Sequence, residues 1–216
     1  MSTRIILVRH AETPGSLERR FTGATDVHLT AAGLEQAAAL GRRLKDVAID
    51  AVHVSPLTRC RQTAEAVTSH TGHEAEVTDD LRECHFGILE NYTLDEALSE
   101  HGNKMIEWFG NEDACPPDGE TWVEVGERLN AWLVRTAQDH KDRTVLAVTH
   151  GGPVLWLTRH ITGAPHSAMA VFDIDPASVT LFQQRNESWR LRLFNDTSHL
   201  ADPLREHGAA RSNLPA

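Results

Sequence analysis

Apolar residues come in short bursts along this chain, and the spacing inside the bursts alternates between two periods. Ile5-Ile6-Leu7-Val8 is a continuous β-branched and apolar run, which predicts a buried central strand. Ala51-Val52-His53-Val54 and the run from Thr144 to Val148 predict two more, and Glu74 to Val77 a weaker one. Between them the period becomes helical. Thr30 can cap a helix running to about Lys45, with Leu34, Ala37, Ala38, Gly41 and Leu44 on one face. Ser55-Pro56 predicts the start of a helix to about His70, with proline in its first turn. A short helix is expected over residues 93–101. A long amphipathic one runs from Glu120 to about Asp139, with Trp122, Val125, Leu129, Trp132, Leu133 and Thr136 as its buried stripe. Pro153 to Ile161 predicts another helix. Val179–Phe182 and Trp189–Phe194 alternate apolar with polar and predict a final strand pair. Residues 11–29, 81–92 and 110–119 read as loops or breaks, and the tail 201–216 reads as disordered.

Strands alternating with helices predict an α/β architecture with a mainly parallel sheet. The 216 residues fit a single domain over residues 1–200 followed by that tail. The net charge of −10 and the lack of any Lys/Arg run argue against a nucleic-acid partner. No apolar run is long enough for a membrane span, and the N-terminal run ends in Arg9-His10 without a cleavage site. Cys60, Cys84 and Cys115 are odd in number and widely spaced, so they are expected as free thiols of a cytoplasmic protein. Acidity does not exclude a small anionic substrate, because a few converging arginines bind phosphate whatever the global charge.

Three polar clusters follow directly after predicted strands: Arg9-His10, Ser55-Pro56-Leu57-Thr58-Arg59, and Thr149-His150-Gly151. Strand ends of one parallel sheet share an edge, where ligands bind. Two histidines and two arginines there suit a tetrahedral dianion, since arginine offers a fixed fork of donors and histidine can be neutral and nucleophilic.

The motifs carry a resemblance. Leu7-Val8-Arg9-His10-Ala11-Glu12-Thr13 resembles the Arg-His-Gly-Glu/Gln-Thr signature of the histidine phosphatase superfamily, which includes the cofactor-dependent phosphoglycerate mutases. Ser55 to Ala64 resembles its second motif, Leu81 to Gly87 its acid loop, and Val148 to Gly152 its last motif. Order and spacing match over about residues 3–165, and more loosely to Leu200. The resemblance implies a three-layer sandwich with a helical lid insert at about residues 85–140. It implies His10 as nucleophile, with Arg9, Arg59 and His150 clamping the phosphoryl oxygens. Glu83 would be the proton donor, and Ser16, Thr22, Gly23 and Gly151 would contact substrate. No metal and no cofactor are implied, and the partner expected is a small phosphorylated metabolite.

Three positions depart from the pattern: Ala11 stands where glycine is usual, Ser16 where many members have asparagine, and Ile88 where an aromatic is usual. The interval between the acid loop and the final histidine is shorter than in the mutases. It resembles the small-molecule phosphatases, α-ribazole phosphatase among them. Hydrolysis of phosphomonoesters is therefore the leading expectation. Phosphoglycerate mutase activity and a non-catalytic phosphate-binding module are the alternatives, and residues 93–140 argue against a compact protein-phosphohistidine hydrolase. His70 and His73 lack a carboxylate shell and read as a surface turn rather than a metal site. Cys84, His85 and His199 receive no role, and the apolar face of the insert could seat a second copy of the chain.

Overall fold

A computed structural model describes residues 2–186 and 188–200; the predicted tail lies outside the described residues. The first strand, β1 (Arg4–Arg9), sends Ile5 and Leu7 to one face and Ile6 and Val8 to the other, and all four are buried. Such a strand needs cover on both sides, and the helices supply it. In chain order there come next α1 (Pro14–Leu17), α2 (Ala31–Leu44), β2 (Ala51–Val54), α3 (Thr58–Thr71), β3 (Ala75–Val77), α4 (Leu94–His101), α5 (Asn103–Gly110), α6 (Trp122–Asp139), β4 (Thr144–Thr149), α7 (Gly151–Thr162), β5 (Val179–Arg185) and β6 (Ser188–Asp196). Ile6 and Val8 join Leu40 and Leu44 of α2 and Cys60, Ala64 and Val67 of α3. Ile5 and Leu7 join Leu129, Trp132 and Leu133 of α6 and Val154 and Leu157 of α7. The result is the expected three-layer sandwich.

The sheet order is β3-β2-β4-β1-β5-β6. β1, β2, β3 and β4 run parallel, while β5 pairs antiparallel with both β1 and β6. Register selects the side chains that meet at the sheet's edge. Arg9 pairs with Thr149 and Val54 with Val148, so His10, Ser55 and His150 leave the sheet side by side.

Local chemistry corrects several boundaries. Thr30 caps α2 as predicted, its hydroxyl accepting from Gly33 N at 2.9 Å. The buried stripe is Gly33, Ala37, Leu40, Gly41 and Leu44, so Leu34 is not on it and is half exposed. One residue along a helix is a turn of about 100°, enough to carry Leu34 from the core to solvent. The second helix starts at Thr58 rather than at Ser55-Pro56. The reason is a remote cap, because the Asp26 carboxylate accepts from Thr58 N and Thr58 Oγ1, both at 2.7 Å. The predicted loop at 11–29 holds the short helix α1, closed by a capping box between Thr13 and Ser16.

Residues 85–140 divide between two places. α6 lies in the main layer with its predicted stripe buried. α4 and α5 instead surround a cluster of their own: Leu89, Ala97, Met105 and Trp108, with Phe21, Phe86 and Phe109 against it. Among the described residues no helix is long and apolar enough to cross a membrane.

Candidate active site

His10 follows β1 directly and is nearly sealed, at 5% exposure. Its Nδ1 lies 2.8 Å from Ala11 O. A carbonyl only accepts, so Nδ1 carries the proton and Nε2 keeps its lone pair. Burial, then the charges of Arg9 and Arg59, hold the imidazole well below the ordinary histidine range. The ring is therefore neutral, and its basic Nε2 has no hydrogen-bond partner among the described residues. Ala11 fits without a clash because its methyl packs with Leu29, Ala37 and Ala177, and its N–H donates to Thr63 Oγ1 at 3.0 Å.

Arg59, at the start of α3, is 1% exposed. Its guanidinium donates to Gly23 O at 2.7 Å and Thr25 O at 2.8 Å, and its Nε–H donates to His150 Nδ1 at 3.2 Å. This bond fixes the tautomer of His150: Nε2 carries the proton and faces Ser55 Oγ at 2.8 Å. The His10 and His150 rings meet edge to face with centroids 5.2 Å apart. Both nitrogens of His150 are thus engaged with protein groups. Burial and the Arg59 charge keep this ring neutral too.

Glu83 reaches the beginning of α7. Its carboxylate accepts from Cys84 N at 3.0 Å and Gly152 N at 3.3 Å. Gly152 leaves room for this carboxylate, since a Cβ there would lie 2.3 Å from Glu83 Oε1 and force it to shift. Burial raises the Glu83 carboxyl, and the two N–H donors with Arg59 and Arg9 only partly offset it. Arg9 donates to Ile174 O, while its buried Nε has no partner among the described residues. A Cβ on Gly151 would sit 3.7 Å from that Nε, so Arg9 runs along the first turn of α7. Arg9, His10, Arg59, Glu83 and His150 therefore cluster where β1, β2 and β4 end, with Glu83 brought in by the loop after β3. A neutral imidazole, two cations and a carboxyl of raised pKa together suit phosphoryl transfer.

The remaining expected contacts behave differently. The Ser16 hydroxyl accepts from Thr13 N at 2.8 Å and donates to Thr13 O at 2.9 Å, so it closes α1. Gly23, at φ +51°, offers its carbonyl to Arg59. Thr22 packs against Gly15, where a Cβ would fall 2.2 Å from Thr22 Oγ1. Of the unassigned residues, Cys84 is buried with burial raising its thiol, and His85 Nδ1 accepts from Gly87 N at 3.0 Å. His199 lies 2.9 Å from Arg43, far along the chain from the cradle.

Several supporting residues escape a reading of the sequence. Thr63 joins Ala11 N to Arg59 O. Arg128 donates to the carbonyls of Asp80, Arg82 and Glu83 and pairs with Glu120, bracing the acid loop from α6. Glu90 accepts from Ala24 N and Thr25 N. Ser55 and Thr63 do carry a signal, since both lie in the second motif and Ser55 stands at a strand end beside the two histidines. The others are ordinary polar residues until the fold brings them in.

Comparison with known proteins agrees with this geometry. The family model for the histidine phosphatase superfamily (branch 1) matches residues 5–197. PhoE, an uncharacterised phosphatase of Bacillus subtilis, is 29% identical over 199 residues, covering 92% of this chain and 97% of its own. Phosphoglycerate mutase-like protein 4 of Arabidopsis thaliana is 32% identical over 203 residues, with 92% and 87% covered. A solved structure from Escherichia coli, described as a candidate α-ribazole-5′-P phosphatase, superposes with a TM-score of 0.81 at 27% identity over 91% of this chain and 98% of that one. With the family model spanning nearly all the described residues and a relative above 30% identity along almost the whole chain, this protein belongs to the histidine phosphatase superfamily.

Proposed function

We propose that this protein hydrolyses phosphomonoesters of small metabolites through a phosphohistidine formed on His10. The observation that carries the reading is the bond from His10 Nδ1–H to Ala11 O at 2.8 Å, which leaves Nε2 as the attacking atom. In the first step Nε2 forms a bond to phosphorus while the bond to the leaving oxygen breaks. Glu83, its pKa raised by burial, gives that oxygen a proton. In the second step the Glu83 carboxylate takes a proton from water, the water oxygen bonds to phosphorus, and the N–P bond breaks to release phosphate. Arg9 and Arg59 neutralise charge on the phosphoryl oxygens. His150 orients Arg59 through Nδ1, and a phosphoryl oxygen would compete with Ser55 for its Nε2–H. The three free thiols fit a cytoplasmic setting.

Hydrolysis is favoured over mutase activity by the short interval between Glu83 and His150 and by the phosphatase names among the relatives. The mutase-like relative supports the second reading, phosphate transfer within a sugar acid. One experiment separates them. The protein is given 3-phosphoglycerate with and without the bisphosphorylated primer, and in parallel a panel of phosphomonoesters with chelator present. Phosphate release from the panel, with an alkali-stable labelled enzyme on acid-free quenching, supports the hydrolase. Primer-dependent isomerisation faster than hydrolysis overturns it, and loss of all activity in chelator refutes the metal-free mechanism.

A further inference from the structure

We infer that Glu90 is a positioning residue that sets the geometry of Arg59 through the Gly23–Thr25 turn. The inference rests on the proposed phosphatase chemistry. Glu90 lies seven residues beyond Glu83, just past the end of the acid-loop motif and outside all four motifs. Its carboxylate accepts from Ala24 N at 2.7 Å and Thr25 N at 3.0 Å, and the Thr25 hydroxyl donates to it as well. The side chain is only 14% exposed. The turn it grips is the one whose carbonyls hold the Arg59 fork: Gly23 O at 2.7 Å and Thr25 O at 2.8 Å.

Three features make this grip specific. Among the described residues no carboxylate is bonded to the buried Arg59 cation, so its fork is directed by neutral carbonyls. Those carbonyls belong to a turn with no regular pairing, which needs fixing from outside. Glu90 fixes one end, and Asp26 ties the other end to Thr58 of α3. Gly23 is shaped to admit the carboxylate: a Cβ there would fall 2.4 Å from Glu90 Oε1. Charge adds to geometry, because the Glu90 carboxylate is among the anions that offset the cost of burying Arg59. Without Glu90 the Ala24 N–H loses its acceptor and the Thr25 N–H keeps only Thr22 O at 3.0 Å, so the turn that carries the fork's carbonyls is held less firmly. Charge-assisted hydrogen bonds of this kind are roughly twice as strong as neutral ones.

The test is a coupling experiment with E90A, E90Q, R59A and the double variant E90A/R59A. Hydrolysis of p-nitrophenyl phosphate and inhibition by orthovanadate are measured, with thermal unfolding as the control. E90A is expected to lower kcat/KM about 10- to 100-fold and to weaken vanadate inhibition similarly. E90Q, which keeps one carbonyl acceptor, should recover part of both and serves if E90A does not fold. In the R59A background the Glu90 change should cost less than about threefold further, because its route is already cut. Multiplicative losses in the double variant would overturn the positioning role while leaving the phosphatase reading intact. An R59A protein with near-normal turnover and vanadate affinity would overturn both.

Discussion

In the phosphate cradle polar side chains are buried and bonded one to another; in the insert of α4 and α5 apolar side chains are buried and polar ones face water. His10, Ser55, Arg59, Thr63, Thr149 and His150 are each at most 5% exposed. The insert closes over Leu89, Ala97, Met105 and Trp108, and leaves Asp95, Glu96, Glu100 and Glu107 in solvent and Ile106 70% exposed. Hydrogen bonds are directional, and a buried group left unmatched is costly, so the cradle admits few arrangements. Hydrophobic packing is non-directional and accepts many volume-preserving solutions. The proposed reaction rests on the first kind of construction, whereas substitutions in the second are expected to act on stability and on the choice of ester.

The cradle is most vulnerable at its centre. His10→Ala is expected to lower kcat by about 10⁴-fold or more, measured with p-nitrophenyl phosphate at saturation. Substantial turnover remaining would remove the nucleophile and with it the chemical role of the cradle. Glu83→Gln comes next, with a loss of about 10²- to 10³-fold. Its pH dependence has a definite sign. The acid works while protonated, and burial raises its pKa, so the rate falls only as pH rises through that raised value. The neutral His10 requirement sets the acid limb below the ordinary histidine value of 6.5. The glutamine variant should lose the alkaline limb and keep the acid one in a kcat/KM profile; an unchanged profile would exclude Glu83 as the acid.

In the insert the expected losses are of stability rather than turnover. Trp108→Ala should cost about 3 kcal/mol or more in urea unfolding, as a large side chain leaves a cavity. The kcat for p-nitrophenyl phosphate should stay within about threefold while KM ratios among bulkier esters change. A collapse of that kcat would mean that the insert and the cradle are one cooperative unit. The smallest effect belongs to Leu34→Gln, expected within about 0.5 kcal/mol of the parent. A loss on the scale of a core leucine would place Leu34 against a surface that the isolated chain does not show.

Much of the sheet is legible in the sequence because strands buried on both faces are written as unbroken apolar runs, as in Ile5 to Val8. α6 is legible because six of its residues keep the helical period without interruption. Boundaries are lost where long-range partners intervene. Asp26 caps α3 from more than thirty positions away, and no local window contains it. Leu34 misleads because it is apolar in a helix that also buries Gly33, and a glycine carries no hydrophobic signal. α5 leaves no clear mark because Gly102, at φ +52°, restarts a helix in a segment with no cap of its own.

The inventory of the reaction centre is written in the chain, since strand ends followed by Arg-His, Ser-Pro-Leu-Thr-Arg and Thr-His-Gly must meet at one sheet edge. How that inventory is used emerges only on folding. Folding commits the Ser16 hydroxyl to a helix cap, engages both nitrogens of His150, and brings Glu90 and Arg128 to the turns that hold Arg59 and Glu83. The physical reason is that an element's identity comes from local period and propensity, whereas a hydrogen-bond partner is chosen by folded geometry, which no neighbouring residue encodes.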